Sequence, residues 1–406
     1  RHQRRKRMLR KITMMAAASA TALMLAGGIA AAQDVIKLGA SAAKTGPLGA
    51  PAAVTHWPNI KLWVEEVNKR GGLKVGNKQM KIEVIELDDK TSADEAIKNI
   101  TRLASVDKVD FLVAPYSTGI NAATAPLIAK FGYPHIATTA ASNSVDQFAK
   151  RWTNSAWLLG TSKQLAEGVA DALKKLRDAG VIGKRVAVVN VADAFGLELM
   201  GAGKPALQKA GFEIVYETSY PLGTQDVAPI ISAAKAANPD AFVAFSYPPD
   251  TFALTDQARI QKFDVGAFYV GVGTAFPAYI GKFKDAANGV MGVGGIDPNS
   301  TAIADYRKRH KDVTGVDADS WASAMTYAGL EILGQAIERA GTLDKAKVVA
   351  ELRKAPFKTI VGEVDLKDGI NHKVWTVGQW QNGVFNGVAA DGISGAKAPV
   401  KKEPWK

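Results

Sequence analysis

The chain is expected to fold as α/β, with parallel sheets covered by helices on both faces and more than one domain. Three observations predict this. Short apolar strand-like runs alternate with helix-like segments along most of the chain, and βαβα order implies a parallel sheet with helices on each face. Several of those runs, such as Phe111 to Ala114, are continuously apolar, as strands buried on both faces are. Roughly 370 residues follow Ala32, more than one hydrophobic core usually organises.

The elements follow in order. Val35 to Ala40 reads as a strand. Ile60, Trp63, Val64 and Val67 lie at i, i+3, i+4 and i+7, one apolar face of a helix that Gly71-Gly72 stops. Lys81 to Leu87 alternates as a strand. Ser92 and Glu95 have capping-box spacing and open a helix expected to face inward with Ile97 and Ile100. A helix runs from Gly119 to Lys130. Helices are then predicted over Ser162–Ala179, Leu197–Ala210, Val227–Ala237 and Pro249–Lys262. Strands are predicted over Arg185–Val191, Glu213–Tyr220, Ala241–Phe245 and Ala267–Val270. In such sheets ligands sit beyond the carboxyl ends of the strands, so the loops that follow the strands are the places to search for function.

The first residues concern export rather than fold. Arg1 to Lys11 holds seven Lys/Arg and no acid, Ile12 to Ala26 is mostly apolar, and Ala30-Ala31-Ala32 precedes Gln33. These are the three parts of a secretory signal peptide, residues 1–32, with cleavage expected after Ala32 and a periplasmic mature form. The apolar part is short of the about 20 residues that a spanning helix needs. The chain has no cysteine, so no disulfide and no lipid on an N-terminal Cys is expected. Taking the seven basic residues of the leader from the chain's 51 leaves 44 against 39 acidic residues. The mature charge is therefore near +5 rather than +12, and it is interspersed. A nucleic-acid binder would show a clustered basic stripe; none is visible, and no nucleic-acid partner is expected.

Enzyme motifs fail on inspection. Gly271-Val272-Gly273 begins like a dinucleotide fingerprint, but Phe276 stands where its third glycine belongs. Ser232 with Lys235, and Lys44-Thr45-Gly46, match two motifs of penicillin-recognising enzymes in the reverse order. There is no G-x-S-x-G, Walker loop or H-E-x-x-H. His2, His56, His135, His310 and His372 are isolated, without metal-ligand spacing. No enzyme activity, metal or cofactor is expected.

The loops carry a resemblance. Ala40 to Gly49 reads ASAAKTGPLG, Trp63 to Gly72 WVEEVNKRGG, and Glu86 to Asp89 ELDD. APYSTG (Ala114–Gly119), PHIATTAAS (Pro134–Ser142), DAFG (Asp193–Gly196) and GTQD (Gly223–Asp226) follow, then AIERAG (Ala336–Gly341), and GEVD (Gly362–Asp365) with Gln379. Taken in order, they resemble the leucine/isoleucine/valine-binding protein family of ABC importers, over nearly all of residues 34 to 392. The resemblance implies two doubly wound parallel-sheet lobes joined by a three-crossover hinge, with a ligand cleft between them. Lobe one would comprise 34–157 and 283–355. Lobe two would comprise 158–282 and, with the hinge, 356–392. Residues 393–406 read as a flexible tail. The implied function is capture of a small organic ligand, an amino acid or an apolar or aromatic carboxylate, by lobe closure. Delivery to a membrane permease would follow, with the protein acting as a monomer. The alternative from another class is an exported sensor domain that signals to a receptor partner.

Candidate site residues come from those loops. APYSTG leads from a strand into a helix N-terminus, whose free N–H groups and partial positive charge suit a carboxylate. Tyr116 stands in that loop, and Ser117 and Thr118 add hydroxyls; the alternative is that these only cap their helix. Thr138, Thr139 and Ala140 lie in a loop that resembles the family's second carboxylate contact, made partly by backbone; the alternative is a plain strand-to-turn segment. Phe195 stands where the family often has a stacking Tyr, and Tyr247 matches another contact position; the alternative for either is a packed core aromatic. Trp57, beside His56, either walls the cleft or fills the core. Amino-acid-binding members place an acid after the strand Ala267–Val270, where it pairs with the ligand's ammonium; here that place is Gly273. Either Asp193 or Asp250 substitutes, or the ligand has no α-amino group, because an unpaired ammonium in a closed cleft would cost several kcal/mol.

Overall fold

The computed structural model describes residues 35–405; the leader read in residues 1–32 lies outside them. Lobe one is built on strands β1 (Val35–Ala42), β2 (Leu73–Val75), β3 (Lys78–Asp88) and β4 (Phe111–Val113), in the order β2-β3-β1-β4. β1 and β4 are parallel, with Leu38 opposite Phe111. β5 (His135–Ala137) and β6 (Ser155–Trp157) form a second parallel pair. Helix α1 (Gly49–Thr55) precedes α2 (Trp57–Lys69), which buries Ile60, Trp63 and Val67 as its spacing predicts. Gly72 ends the turn after α2 with φ +117°, where a Cβ would lie 2.3 Å from the Met80 carbonyl oxygen. Only glycine fits there. Helix α3 (Ala93–Ser105) starts where Ser92 accepts the Glu95 amide. It buries Ala96, Ile100 and Leu103, whereas Ile97, expected inward, is exposed. The inward stripe runs i, i+4, i+7 from Ala96, and Ile97 falls one residue off it.

Lobe two carries a seven-stranded sheet, β15-β14-β11-β10-β9-β7-β8. Its strands are β7 (Arg185–Val191), β8 (Glu213–Tyr220), β9 (Ala241–Phe245), β10 (Ala267–Val270), β11 (Val290–Val293), β14 (Val374–Gln381) and β15 (Val384–Asp391). β8 through β11 run parallel. The β14–β15 hairpin is antiparallel and closes one edge, as on many otherwise parallel sheets.

The chain passes between the lobes near Leu158, at Gly294-Gly295, and at Asn371–Lys373. The second and third passages fall later than expected. β11 keeps residues 290–293 in the lobe-two sheet. The hairpin β12 (Phe357–Thr359) with β13 (Gly362–Val364) packs Phe357, Ile360 and Val364 into the lobe-one core rather than lobe two. First and third passages are tied directly: Trp157 bridges Ile370, and the Asn371 amide donates to the Leu158 carbonyl at 3.0 Å.

Residues 393–405 form a strap on lobe two, not the loose tail their composition suggests. The Lys397 amide donates to Gly387, Gln379 exchanges two bonds with Val400, and the Lys402 amide donates to Gly266. Trp405 is buried edge-on against Phe268 at 5.1 Å, with its indole N–H on the Phe263 carbonyl at 2.8 Å. Backbone pairing and one large apolar anchor outweigh the polar composition.

Helix α12 (Ala322–Ala340) runs through the lobe-one core. Burial pushes the Glu331 carboxyl on it up to about 7, while the Ile360 amide and Arg309 oppose the shift. Below about pH 4.3 Glu331 is protonated in both the folded and the unfolded chain and costs nothing. Above pH 7 it is charged in both, and the folded state bears the full desolvation cost. Glu331→Gln is therefore expected to gain stability over the native protein as pH rises through that window. Urea unfolding at about pH 4.5 and about pH 8 checks it; a difference that does not change with pH would sink the assignment.

Candidate ligand cleft between the lobes

Two helix starts meet across the lobes. Helix α4 (Thr118–Lys130) follows β4 in lobe one, and α7 (Ala194–Lys209) follows β7 in lobe two. A Cβ on Gly119 would lie 3.8 Å from the Ala194 Cβ. Ser117 sits at φ +83°, and its hydroxyl accepts the Ile120 amide at 3.4 Å. The Thr118 hydroxyl donates to the Ala141 carbonyl at 2.9 Å and accepts the Ala141 amide at 3.2 Å. Both hydroxyls thus hold the loop together. The first amides of α4 have no intrahelical acceptor and are the donors an anion would meet.

Asp193 caps α7, accepting the Gly196 amide at 2.9 Å. Phe195 and Tyr247 from lobe two stack, with ring centroids 5.1 Å apart and planes tilted by 32°. They share one continuous apolar cluster with Ala42, Leu48, Ala52, Tyr116 and Ala141 of lobe one, so the lobes are closed on each other here. The Tyr247 hydroxyl is buried without a well-formed hydrogen bond. The nearby Asp193 carboxylate adds to the burial that raises its pKa.

The remaining sequence-predicted residues divide. The Thr138 hydroxyl meets Thr326 at 3.3 Å, and its methyl lies where a Cβ on Gly329 would be. That side chain faces α12 and the lobe-one core, away from the seam. Thr139 is part-buried, with its hydroxyl 3.4 Å from the Pro115 carbonyl. Ala140 packs with Ala137, Val145 and Trp157. Trp57 is half-buried between both cores; its indole N–H donates to Ala43 at 3.0 Å and Lys44 lies over its ring. Gly273 has φ +102°, and a Cβ would stand 2.9 Å from the Pro248 Cα, so no carboxylate can be mounted there without moving α9 (Pro248–Ile260). Asp250 accepts from the Tyr220 hydroxyl and the Tyr247 amide, and burial pushes its pKa up to about 6. Burial also raises the Asp193 carboxyl.

At the seam, Glu198 escapes sequence reasoning, whereas His56 is named there with Trp57 beside the cleft. Glu198 on α7 accepts the Ser142 hydroxyl at 2.9 Å and the Asn143 amide at 2.6 Å across the lobes, and Ser162 lies 3.2 Å away. His56 is fully buried, edge-on to Trp57 at 6.0 Å and Tyr116 at 6.4 Å. Burial lowers its pKa to about 4, with the Ala114 backbone opposing, so the ring is neutral above that pH. Among the described residues no His/Cys/Asp/Glu group could hold a metal ion.

A closed seam between two doubly wound lobes, with helix starts and stacked aromatics, is the arrangement of a ligand-binding protein. Residues 35–384 match the family model described as periplasmic binding protein, and the chain belongs to that family. It is 24% identical over 370 residues to Leu/Ile/Val-binding protein homolog 3 of Brucella melitensis, covering 89% of this chain and 96% of that one. The fold is similar to that of the branched-chain amino acid transporter substrate-binding protein LivJ of Streptococcus pneumoniae in complex with isoleucine. There the TM-score is 0.76 and the identity 19%, over 88% of this chain and 99% of that one. It is likewise similar to a solute-binding protein of an ABC transporter from Rhodopseudomonas palustris in complex with 3,4-dihydroxybenzoic acid. That match has a TM-score of 0.73 and 21% identity, over 90% and 99% of the two chains.

Proposed function

We propose that this protein captures a small organic carboxylate with an apolar or aromatic body in the periplasm and delivers it to the permease of an ABC importer. The α4 start would hold the carboxylate, and Phe195 and Tyr247 would face the body. The observation that carries the ligand class is Gly273: its backbone and the Pro248 contact exclude the acid that would neutralise an α-ammonium. Asp250 is already engaged inside lobe two. Asp193 is the one candidate acid left, and its burial favours the neutral form. Relatives with isoleucine and with a hydroxylated benzoate bracket the choice.

Calorimetric titration with leucine, 4-methylpentanoate and benzoate separates the cases. The carboxylates without an α-amino group are expected to bind more tightly. Micromolar leucine, with 4-methylpentanoate more than tenfold weaker, would show an ammonium site, and Asp193→Asn would then identify its acid.

The Ser117→Ala, Thr118→Ala double variant tests the anchor. Loss of direct bonds from the two hydroxyls to the ligand would weaken binding by about 1.5–3 kcal/mol per charge-assisted bond. The partners Ile120 and Ala141 predict the smaller outcome: affinity changed by less than threefold, and stability lowered by about 1 kcal/mol for the lost cap. A tenfold affinity loss without loss of stability would mean that the hydroxyls touch the ligand.

A further inference from the structure

A cavity of about 440 Å³ lies away from the cleft, where the chain passes between the lobes. Its walls come from all three passages, through Leu158, Ile296 and Asn371, and from both lobes. Trp321 of lobe one and Trp375 of lobe two stand on it. Each ring is seated on a glycine. A Cβ on Gly294 would lie 2.0 Å from the Trp321 ring, and one on Gly387 would lie 2.2 Å from the Trp375 ring. The indoles are therefore fixed in place, and what they do not show to glycine lines the cavity.

The wall is more apolar than polar. The Asn371 amide is already bonded to Leu158 and Lys373. The charged residues, Asp297, Glu363 and Lys373, are exposed at the rim and of both signs; exposed pairs of this kind contribute little. The volume is in the range of small-molecule sites, which are mostly apolar and aromatic-lined. We propose that this cavity is a second binding site, for a small neutral aromatic molecule held between Trp321 and Trp375, and that its occupancy holds the two lobes in the closed arrangement. A molecule touching all three passages binds best in the lobe arrangement that forms the cavity, and stabilises that arrangement by the difference. By reciprocity it would raise the affinity of the cleft by the same factor that cleft ligand raises its own. That coupling rests on closure being the working motion of the cleft; the existence of the site does not.

The neutral fluorophore N-phenyl-1-naphthylamine is a direct probe, used on the whole protein without any cleft ligand. Saturable fluorescence enhancement is expected. Met325→Trp, which fills the cavity, and Ile393→Asp, which puts a charge on a wall segment outside any helix or strand, should each weaken it at least tenfold. Tyr247→Ala, in the cleft, should leave it within twofold. Bound probe should also slow amide exchange of the 290–298 segment at least threefold in the native protein and not in Ile393→Asp. The site is overturned if enhancement is absent, is unaffected by Ile393→Asp, or is lost in Tyr247→Ala. If the probe binds as expected but the 290–298 segment exchanges unchanged, the clamp is overturned. Failure of the cleft ligands in calorimetry would leave both readouts intact and bear on the transport reading alone.

Discussion

Glu198→Ala is expected to weaken capture of 4-methylpentanoate or benzoate by ten- to a hundredfold. The Glu198 carboxylate on lobe two accepts from Ser142 and Asn143 on lobe one, so these bonds exist only when the lobes are together. A hydrogen bond to a charged group contributes about 1.5–3 kcal/mol. The seam is partly open to solvent at Asn143, which lowers the sum toward the strength of one such bond. Under the proposed capture by lobe closure the open form lacks the contact, so the ligand-free protein should unfold at nearly the native urea concentration while affinity falls. Small-angle scattering supplies a second readout, with the variant more extended at the same ligand concentration. An affinity within twofold of native would show that Glu198 is incidental to closure.

Trp405→Ala is expected to lower the unfolding free energy by about 3–5 kcal/mol, the range for truncating a buried large aromatic. The residue is buried against Phe268, and its indole N–H donates to Phe263. The loss therefore combines a cavity with an orphaned carbonyl. Urea unfolding with a tryptophan-independent probe such as far-UV circular dichroism measures it. A change below about 1 kcal/mol would mean that the strap is held by its backbone bonds alone.

Much of the fold is legible in the residues. β7, β9 and β10 lie where their apolar runs place them, residue for residue, because a strand buried on both faces reads as one continuous apolar run; the edge strand β8, part-buried and polar at several positions, also keeps its expected bounds. The β14–β15 hairpin carries a local signal too. Asn382-Gly383 has φ of 52° and 79°, the left-handed pair of a tight hairpin turn between two strands. For the candidate site, the search of loops after strands reaches Phe195 and Tyr247, whose rings stack in the structure, while the acid missing at Gly273 is what the family resemblance implies. The Thr138 side chain meets Thr326 and Gly329 on α12, a direction that the sequence does not show because at the end of a short strand it depends on which face the neighbouring helix takes. Glu198 carries no local signal at all: it is an ordinary polar helix position until the fold sets Ser142 and Asn143 against it.

The interleaving of the lobes constrains how the protein can be made. The lobe-two sheet begins at β7, is interrupted while the chain returns to lobe one, and resumes at β14, with Trp405 packed against it from the strap. Its core cannot be completed before the strap of residues 393–405 has emerged, so no stretch of chain that stops earlier contains a finished lobe two. Contacts this distant in sequence slow folding. A chain lacking residues 393–405 would leave uncovered the Phe268 ring against which Trp405 packs.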